Sequence, residues 1–347
     1  MTLVPSRFVR DLADKLGLEI VGIDALTLKR VRSGKGFSYR HADGTPIRDA
    51  AELQRLKSLA VPPAYVEVCY AADPSAHLQA IGTDAAGRRQ YRYHPKWTDV
   101  REAQKAQRLA RLARALPDIK RAVAKGLACE DCTQAFTVAA IVHLVGLTSI
   151  RAGGESYARD SGTRGASTLL KSNVKLAESE VVLSFRAKGG KAVSKTIADA
   201  RLRAALERLI ELPGRRLFQY RADDGVCRPV RAPEVNQFLR DVVGKPISLK
   251  DFRTLTASSA ALTALTNVEP AASERGRRSQ LRSVVGDVAE ELANTPTVCR
   301  TSYVHGAVVA AFEQGKLARL RKPPRSAART AEMLARLVSR QETPTGR

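Results

Sequence analysis

The chain has 347 residues, 44% of them hydrophobic, and sets 58 lysines and arginines against 35 acidic residues for a formal net charge of +23. That length suffices for two domains and a sizeable core, and that charge directs the protein toward polyanions, nucleic acid or acidic membrane. No apolar run reaches the length of a spanning helix, MTLVPSRFVRDLADKLGLEI lacks the apolar core of a secretory signal, and five scattered cysteines form no disulfide framework, so a membrane-spanning or disulfide-stapled secreted protein is excluded and a cytoplasmic one expected.

Taken from the N-terminus, residues 1–95 read as a small β-rich domain. LTLKRV, FSYRH, YVEVCY and RRQYRYH alternate apolar and polar residues, the period of a half-buried strand. SGKG at 33–36, ADGT at 42–45, the Pro62 and Pro63 pair and AAG at 85–87 supply the turns between them. The texture changes at Thr98, and residues 96–320 read as a larger, mainly helical domain rich in Ala, Leu, Arg and Lys. Over 98–116, Arg101, Lys105, Arg108 and Arg111 share one helical face, and Leu109, Leu112 and Leu116 another. A basic face of this kind is either solvated or set against phosphates. One β island interrupts the helices: VVLSF (181–185) and KAVSKTI (191–197) flank Ala187, Lys188, Gly189 and Gly190, a hairpin with a Gly-Gly turn. Helices resume at 198–213 and continue to about 338, with RKPPRS (321–326) as a break. Residues 321–347 are expected to form a basic C-terminal helix and tail, ending in an unstructured ETPTGR. The fold class expected is therefore α+β, a β-rich N-terminal domain followed by a mainly α-helical domain that carries one β-hairpin.

The familiar cofactor signatures fail. Gly34 and Lys35 are followed by Gly36 where a phosphate loop needs Ser or Thr, and no GxGxxG follows a strand. Cys129 and Cys132 make a CxxC, half of a zinc site, but no second pair completes it. The five histidines are dispersed and no carboxylates have metal-ligand spacing, so neither metal nor cofactor is expected. Chemistry on nucleic acid must then rest on cationic side chains. Arginine would neutralise the non-bridging oxygens of a phosphate, a nucleophile would attack in line, and a donor would protonate the departing oxygen.

Four stretches hold such residues. LTSIRAGG places Arg151 after an apolar helix and before a glycine pair. The hairpin turn carries Lys188. LKDFRTLTASSAALTAL places Arg253 near the start of a helix of small residues. In ELANTPTVCRTSYVHGAVV, Thr295 and Pro296 open a helix with Tyr303 two turns into it. Singly, each has an ordinary explanation: a helix C-cap, a solvated turn lysine, a structural arginine, an aromatic packed on a helix face.

Their order carries more than any one of them. Arg, then Lys on a Gly-turn hairpin, then Lys-x-x-Arg, then Asn-Thr-Pro with Tyr nine residues after the Asn resembles the catalytic domain of type IB DNA topoisomerases, particularly the short poxvirus-like bacterial forms. GTDAAGRRQYRYHPKW (82–97) is similar to the N-terminal signature of the same group, and the resemblance spans roughly residues 25–320. It implies an ATP- and metal-independent enzyme that cleaves one strand of duplex DNA through a 3′-phosphotyrosyl intermediate, lets the duplex swivel, and reseals it, relaxing positive and negative supercoils. It implies Tyr303 as nucleophile, Arg151 and Arg253 as stabilisers of the phosphorane, and Lys188 as general acid for the 5′-oxygen. Asn294 stands where many relatives have His and would donate a hydrogen bond to a non-bridging oxygen. Arg88, Gln90, Tyr91, Tyr93 and Lys250 match DNA-contacting positions, although tyrosines on a strand often simply pack one face. The expected partner is duplex DNA, bound by a nucleoid-associated monomer with no obligatory protein partner.

Two other readings share part of this pattern. Tyrosine recombinases have the same Arg, Lys, Arg, Tyr order and even the spacing to Tyr. Lys250, where recombinases usually have His, and GTDAAGRRQYRYH favour the topoisomerase. A non-enzymatic architectural DNA-binding protein would suit the charge but has no need of the ordered catalytic residue types.

Overall fold

In the computed structural model, which describes residues 5–317 and 326–339, the chain divides between Gln104 and Lys105 into two compact units.

The first unit contains the helices α1 (Arg7–Lys15) and α2 (Ala50–Ser58) and the strands β1 (Leu28–Ser33), β2 (Gly36–Arg40), β3 (Val66–Tyr70), β4 (Leu78–Thr83) and β5 (Arg89–Tyr93). The strands form one antiparallel sheet in the order β2-β1-β3-β4-β5. Gly34, at φ +54°, lets β1 turn tightly into β2 with Ser33 opposite Gly36. Leu28, Tyr39, Val68 and Tyr70 from the sheet meet Leu56 of α2 in a small core. Asp49 caps α2 by accepting from the Glu52 amide at 2.7 Å, and Arg55 ties the helix to the sheet through Gln79 Oε1 and the Ala71 carbonyl, both at 2.8 Å.

β4 and α2 have no counterpart in the alternating pattern, for physical reasons. β4, between β3 and β5, is buried along nearly its whole length, so LQAIGT shows no alternation. α2 fully buries only Leu56, too thin a stripe to mark a helical period.

The second unit is mainly helical. α3 (Trp97–Leu127) starts in the first unit and runs on past Pro117, because Ile119 and Val123 bury into the core beyond it. α4 (Gln134–Thr148) is apolar on all sides and forms the centre of that core. Thr133 caps it by accepting from the Phe136 amide at 3.2 Å. Ile141 and Leu144 are fully enclosed, and truncating a side chain in such a place to Ala costs about 2–5 kcal/mol.

The short α5 (Glu155–Asp160) follows, and then a three-stranded antiparallel sheet, β6 (Val174–Leu176), β7 (Val181–Arg186) and β8 (Ala192–Ile197), with β8 at one edge. α6 (Ala200–Glu211), the hairpin of β9 (Gln219–Arg221) and β10 (Cys227–Pro229), and α7 (Ala232–Val243) lead to α8 (Leu249–Thr266). α8 packs against α4, α9 (Glu274–Glu291), α11 (Gly306–Glu313) and α12 (Ala327–Ser339). A single turn, α10 (Pro296–Val298), lies between α9 and α11. Arg108 of α3 is spent inside this unit: it pairs with Asp251 at 3.0 Å and reaches Ser248 Oγ at 3.2 Å, fastening α3 to the start of α8.

The expected tail ETPTGR, and RKPPRS up to its last residue, lie outside the described residues. Among the described residues no helix is long and apolar enough to cross a membrane.

Candidate active site

Ser149 ends α4 in the left-handed conformation, and the chain then loops through Arg151, Gly153 and Gly154. This loop is fixed by backbone pairing: the Ala166 amide donates to the Arg151 carbonyl at 2.7 Å and the Ser167 amide to the Ala152 carbonyl at 2.8 Å. A Cβ at Gly165 would lie 2.5 Å from both the Arg151 oxygen and the Gly153 nitrogen, so only glycine permits the pairing.

Arg253 stands one turn into α8 and is 3% exposed. Its Nη1 donates to the Ser149 carbonyl and its Nη2 to the Leu292 carbonyl at 2.8 Å, so one guanidinium joins the ends of α4 and α9. Its Nε is buried without a hydrogen-bond partner, and its central carbon lies 5.0 Å from the centre of the Tyr303 ring. Burial and the neighbouring charge of Arg151 push its pKa below the ordinary value, while Tyr303 pulls it back up.

α9 ends in a reversal, with Ala293 at φ +50° and the Asn294 amide donating back to the Ala289 carbonyl at 2.8 Å. Asn294 is buried. Its Oδ1 accepts from Arg151 Nη2, and its Nδ2 has no partner. Thr295 then caps α10 by accepting from the Val298 amide at 3.3 Å, with Pro296 at the first helical position.

The structure departs from the simple helix expected through Tyr303. Residues Cys299–Tyr303 form a widened π-turn, closed by the Val304 amide on the Cys299 carbonyl at 2.9 Å. Ser258 of α8 braces its end. Its hydroxyl donates to the Tyr303 carbonyl at 2.9 Å and accepts from the His305 amide at 3.0 Å. The Ala307 amide, which a continuing helix would aim at Tyr303, bonds His305 Nδ1 instead at 3.1 Å. Tyr303 is 8% exposed. Burial pushes its phenol up, but Arg253, Arg151 and Lys250 together outweigh that and bring the pKa below the usual tyrosine value.

Lys188 sits exposed in the β7–β8 turn, its ammonium 5.4 Å from the centre of the Tyr157 ring. Gly189 and Gly190 follow at φ +79° and +74°, backbone that glycine adopts without strain.

Arg151, Tyr157, Lys188, Lys250, Arg253 and Tyr303 line one open cleft of about 480 Å³. The second unit thus gathers Arg151, Lys188, Lys250, Arg253 and Tyr303, with Asn294 bonded to Arg151. Arg164 and Tyr157 also line the cleft; the sequence marks Arg164 only as a basic residue between two glycines in GTRG (162–165) and gives no signal for Tyr157. Three guanidiniums and two lysines around a phenol of lowered pKa, with the Asn294 amide bonded to one of the arginines, suit a tetrahedral oxyanion held against that phenol. Cys129 and Cys132 are free thiols, and among the described residues no group of three or more His, Cys, Asp or Glu is arranged to hold a metal ion.

Arg88, Gln90, Tyr91 and Tyr93 belong to the first unit. Asp84 accepts from Arg88 Nε at 3.0 Å and from Gln90 Nε2 at 2.9 Å. Bonds from the Arg88 amide and side chain, with Gln90 and the Ala86 amide, take its carboxyl down to about 2. The rings of Tyr91 and Tyr93 stack at 6.2 Å and those of Tyr93 and Trp97 at 6.5 Å. Tyr91 and Tyr93 are 43% and 40% exposed, so neither is a core aromatic.

The family described as the eukaryotic DNA topoisomerase I catalytic core matches residues 94–327, and that described as the bacterial DNA topoisomerase IB N-terminal domain matches residues 36–84. The chain is 29% identical over 282 residues to a protein of Acanthamoeba polyphaga mimivirus named DNA topoisomerase 1B, a match covering 79% of this chain and 84% of that protein.

Proposed function

The chain belongs to the type IB DNA topoisomerases, and from that premise we propose that Tyr303 is the residue that joins covalently to DNA. The tyrosine oxygen attacks a backbone phosphorus. The new phosphorus–oxygen bond forms as the bond to the 5′-oxygen breaks, leaving a 3′-phosphotyrosine and a 5′-hydroxyl. Lys188 gives the proton to the departing 5′-oxygen, and the phenol proton leaves to solvent. One phosphoester replaces another, so resealing is the same step reversed and needs no ATP. Between the two steps the duplex swivels in whichever direction relieves its strain.

Arg151 and Arg253 neutralise the non-bridging oxygens of the phosphorane, as charge-assisted donors do best in a desolvated site. The Nδ2 of Asn294 adds a neutral donor. These side chains supply the positive charge that a metal ion supplies in other phosphoryl-transfer sites. Lys250, with Arg88, Gln90, Tyr91 and Tyr93, grips the duplex, and the enzyme works as a monomer on the cell's DNA in the cytoplasm.

The observation that carries this reading is Arg253: buried, held by two backbone carbonyls, with an unpartnered Nε beside the Tyr303 ring. A buried donor without a partner costs about 1–3 kcal/mol, a cost that a bound phosphate would remove. The test is relaxation of supercoiled plasmid with a chelator present and ATP absent. Plasmids of either sign of supercoiling should relax fully, and an absolute need for magnesium or ATP would overturn the reading.

A further inference from the structure

The hairpin that carries Lys188 is moored close to its turn. Lys191, directly after the glycine pair, donates from Nζ to the Asn294 carbonyl at 2.8 Å. Farther along β8, Lys195 donates to the Glu291 carbonyl, also at 2.8 Å. The Glu291 carbonyl ends α9, where unpaired carbonyls gather negative potential and favour a cation, and the Asn294 carbonyl lies just past the reversal that follows. Within the turn, the Ala187 amide donates to the Lys191 carbonyl at 2.7 Å and the Gly190 amide to the Ala187 carbonyl at 3.0 Å. Lys191 is therefore tied through its backbone to the residue before Lys188 and through its side chain to Asn294, whose own side chain accepts from Arg151.

We propose that Lys191 is a positioning residue for Lys188: its bond to the Asn294 carbonyl registers the hairpin turn against the cleft, so that the Lys188 amine meets the departing 5′-oxygen. The proposal rests on Lys188 being the general acid. Two consecutive glycines at positive φ leave the turn free to take other shapes. A flexible turn that carries a proton donor needs anchors outside itself: on the β7 side the Arg164 amide donates to the Arg186 carbonyl at 2.7 Å, and on the β8 side Lys191 supplies the side-chain anchor. Loss of such placement lowers the effective concentration of the donor, and a displacement of about 1 Å can cost about a hundredfold in rate.

The test measures single-turnover cleavage by the full chain on two duplexes, one ordinary and one with sulfur as the 5′-bridging atom. A thiolate leaves without a proton, because thiol pKa values lie near ~8.5. Lys188→Ala serves as the reference. Lys191→Met, which keeps the stem but loses the donor, should cleave ordinary DNA about tenfold or more slowly and approach the unmutated rate on the sulfur duplex. Lys191→Arg, still able to donate to a carbonyl, should keep most of the activity. Unimpaired Lys191→Met would overturn the proposal. So would equal slowing on both duplexes while sulfur rescues Lys188→Ala, with the general-acid reading left standing. Rescue of Lys191→Met without rescue of Lys188→Ala would make Lys191 itself the donor. Rescue of neither would remove the general-acid reading, and this proposal with it.

Discussion

α8 and the β7–β8 hairpin bring cations to the same cleft in opposite ways. Arg253 on α8 is buried and fixed by carbonyls from two other helix ends. Lys188 on the hairpin is exposed and rides on a glycine turn moored through Lys191. The difference suits the roles proposed for them. A group that neutralises developing charge works best already in place, since it then needs no reorganisation during the reaction. A proton donor must approach one particular oxygen, and an adjustable turn serves that purpose.

The contrast is open to attack from its rigid side first. Arg253→Ala should lower the cleavage rate by about 10²–10³ or more, and the 5′-sulfur duplex should not restore it, because the lost group acts on the non-bridging oxygens. Arg253→Lys should recover little, since a point charge cannot hold two carbonyls and a phosphate together. Rescue of Arg253→Ala by sulfur would erase the distinction between the two regions.

Asn294→Ala should lose less than either arginine, about tenfold, because a neutral donor contributes roughly half of what a charged one does. Asn294→His should retain substantial activity, as the resemblance to relatives with His there implies. An alanine variant as slow as Arg253→Ala would mean that Asn294 acts chiefly by holding Arg151.

The smallest kinetic effect is expected at Ser258. Its hydroxyl braces the end of the π-turn but touches no reacting atom, so Ser258→Ala should slow cleavage only several-fold. It leaves the Tyr303 carbonyl and the His305 amide without their shared partner inside the core, which should lower stability by about 1–3 kcal/mol in denaturant melts. A variant with unchanged stability would show that the π-turn is held by something other than α8.

The sequence disclosed what local chemistry determines. The Gly-Gly hairpin, the Thr295 and Pro296 helix start and the alternating strands appear where expected, because turns, caps and strands write themselves into neighbouring residues, although β5 buries neither face. What stayed hidden depends on partners distant in the chain. The π-turn at Tyr303 is braced by Ser258, 45 positions earlier. The mooring of Lys191 uses a carbonyl 103 positions later. β4 was hidden because burial on both faces removes the alternation. Arg108, a candidate for phosphate contact on its helix face, is instead spent on Asp251, 143 positions away. Arg151, Lys188, Lys250, Arg253 and Tyr303 were legible as an ordered set, but Tyr157 and Arg164, and the distances, burial and unpartnered donors of the cleft, were not.

The central claim is tested most directly by trapping the covalent complex on a suicide duplex, digesting it, and mapping the linkage by mass spectrometry. The account predicts a single modified residue, Tyr303, bonded to a 3′-phosphate, and no adduct from Tyr303→Phe although that variant still binds DNA. An adduct on any of the other seven tyrosines among the eight in the chain, or a bond to a 5′-phosphate, would contradict it.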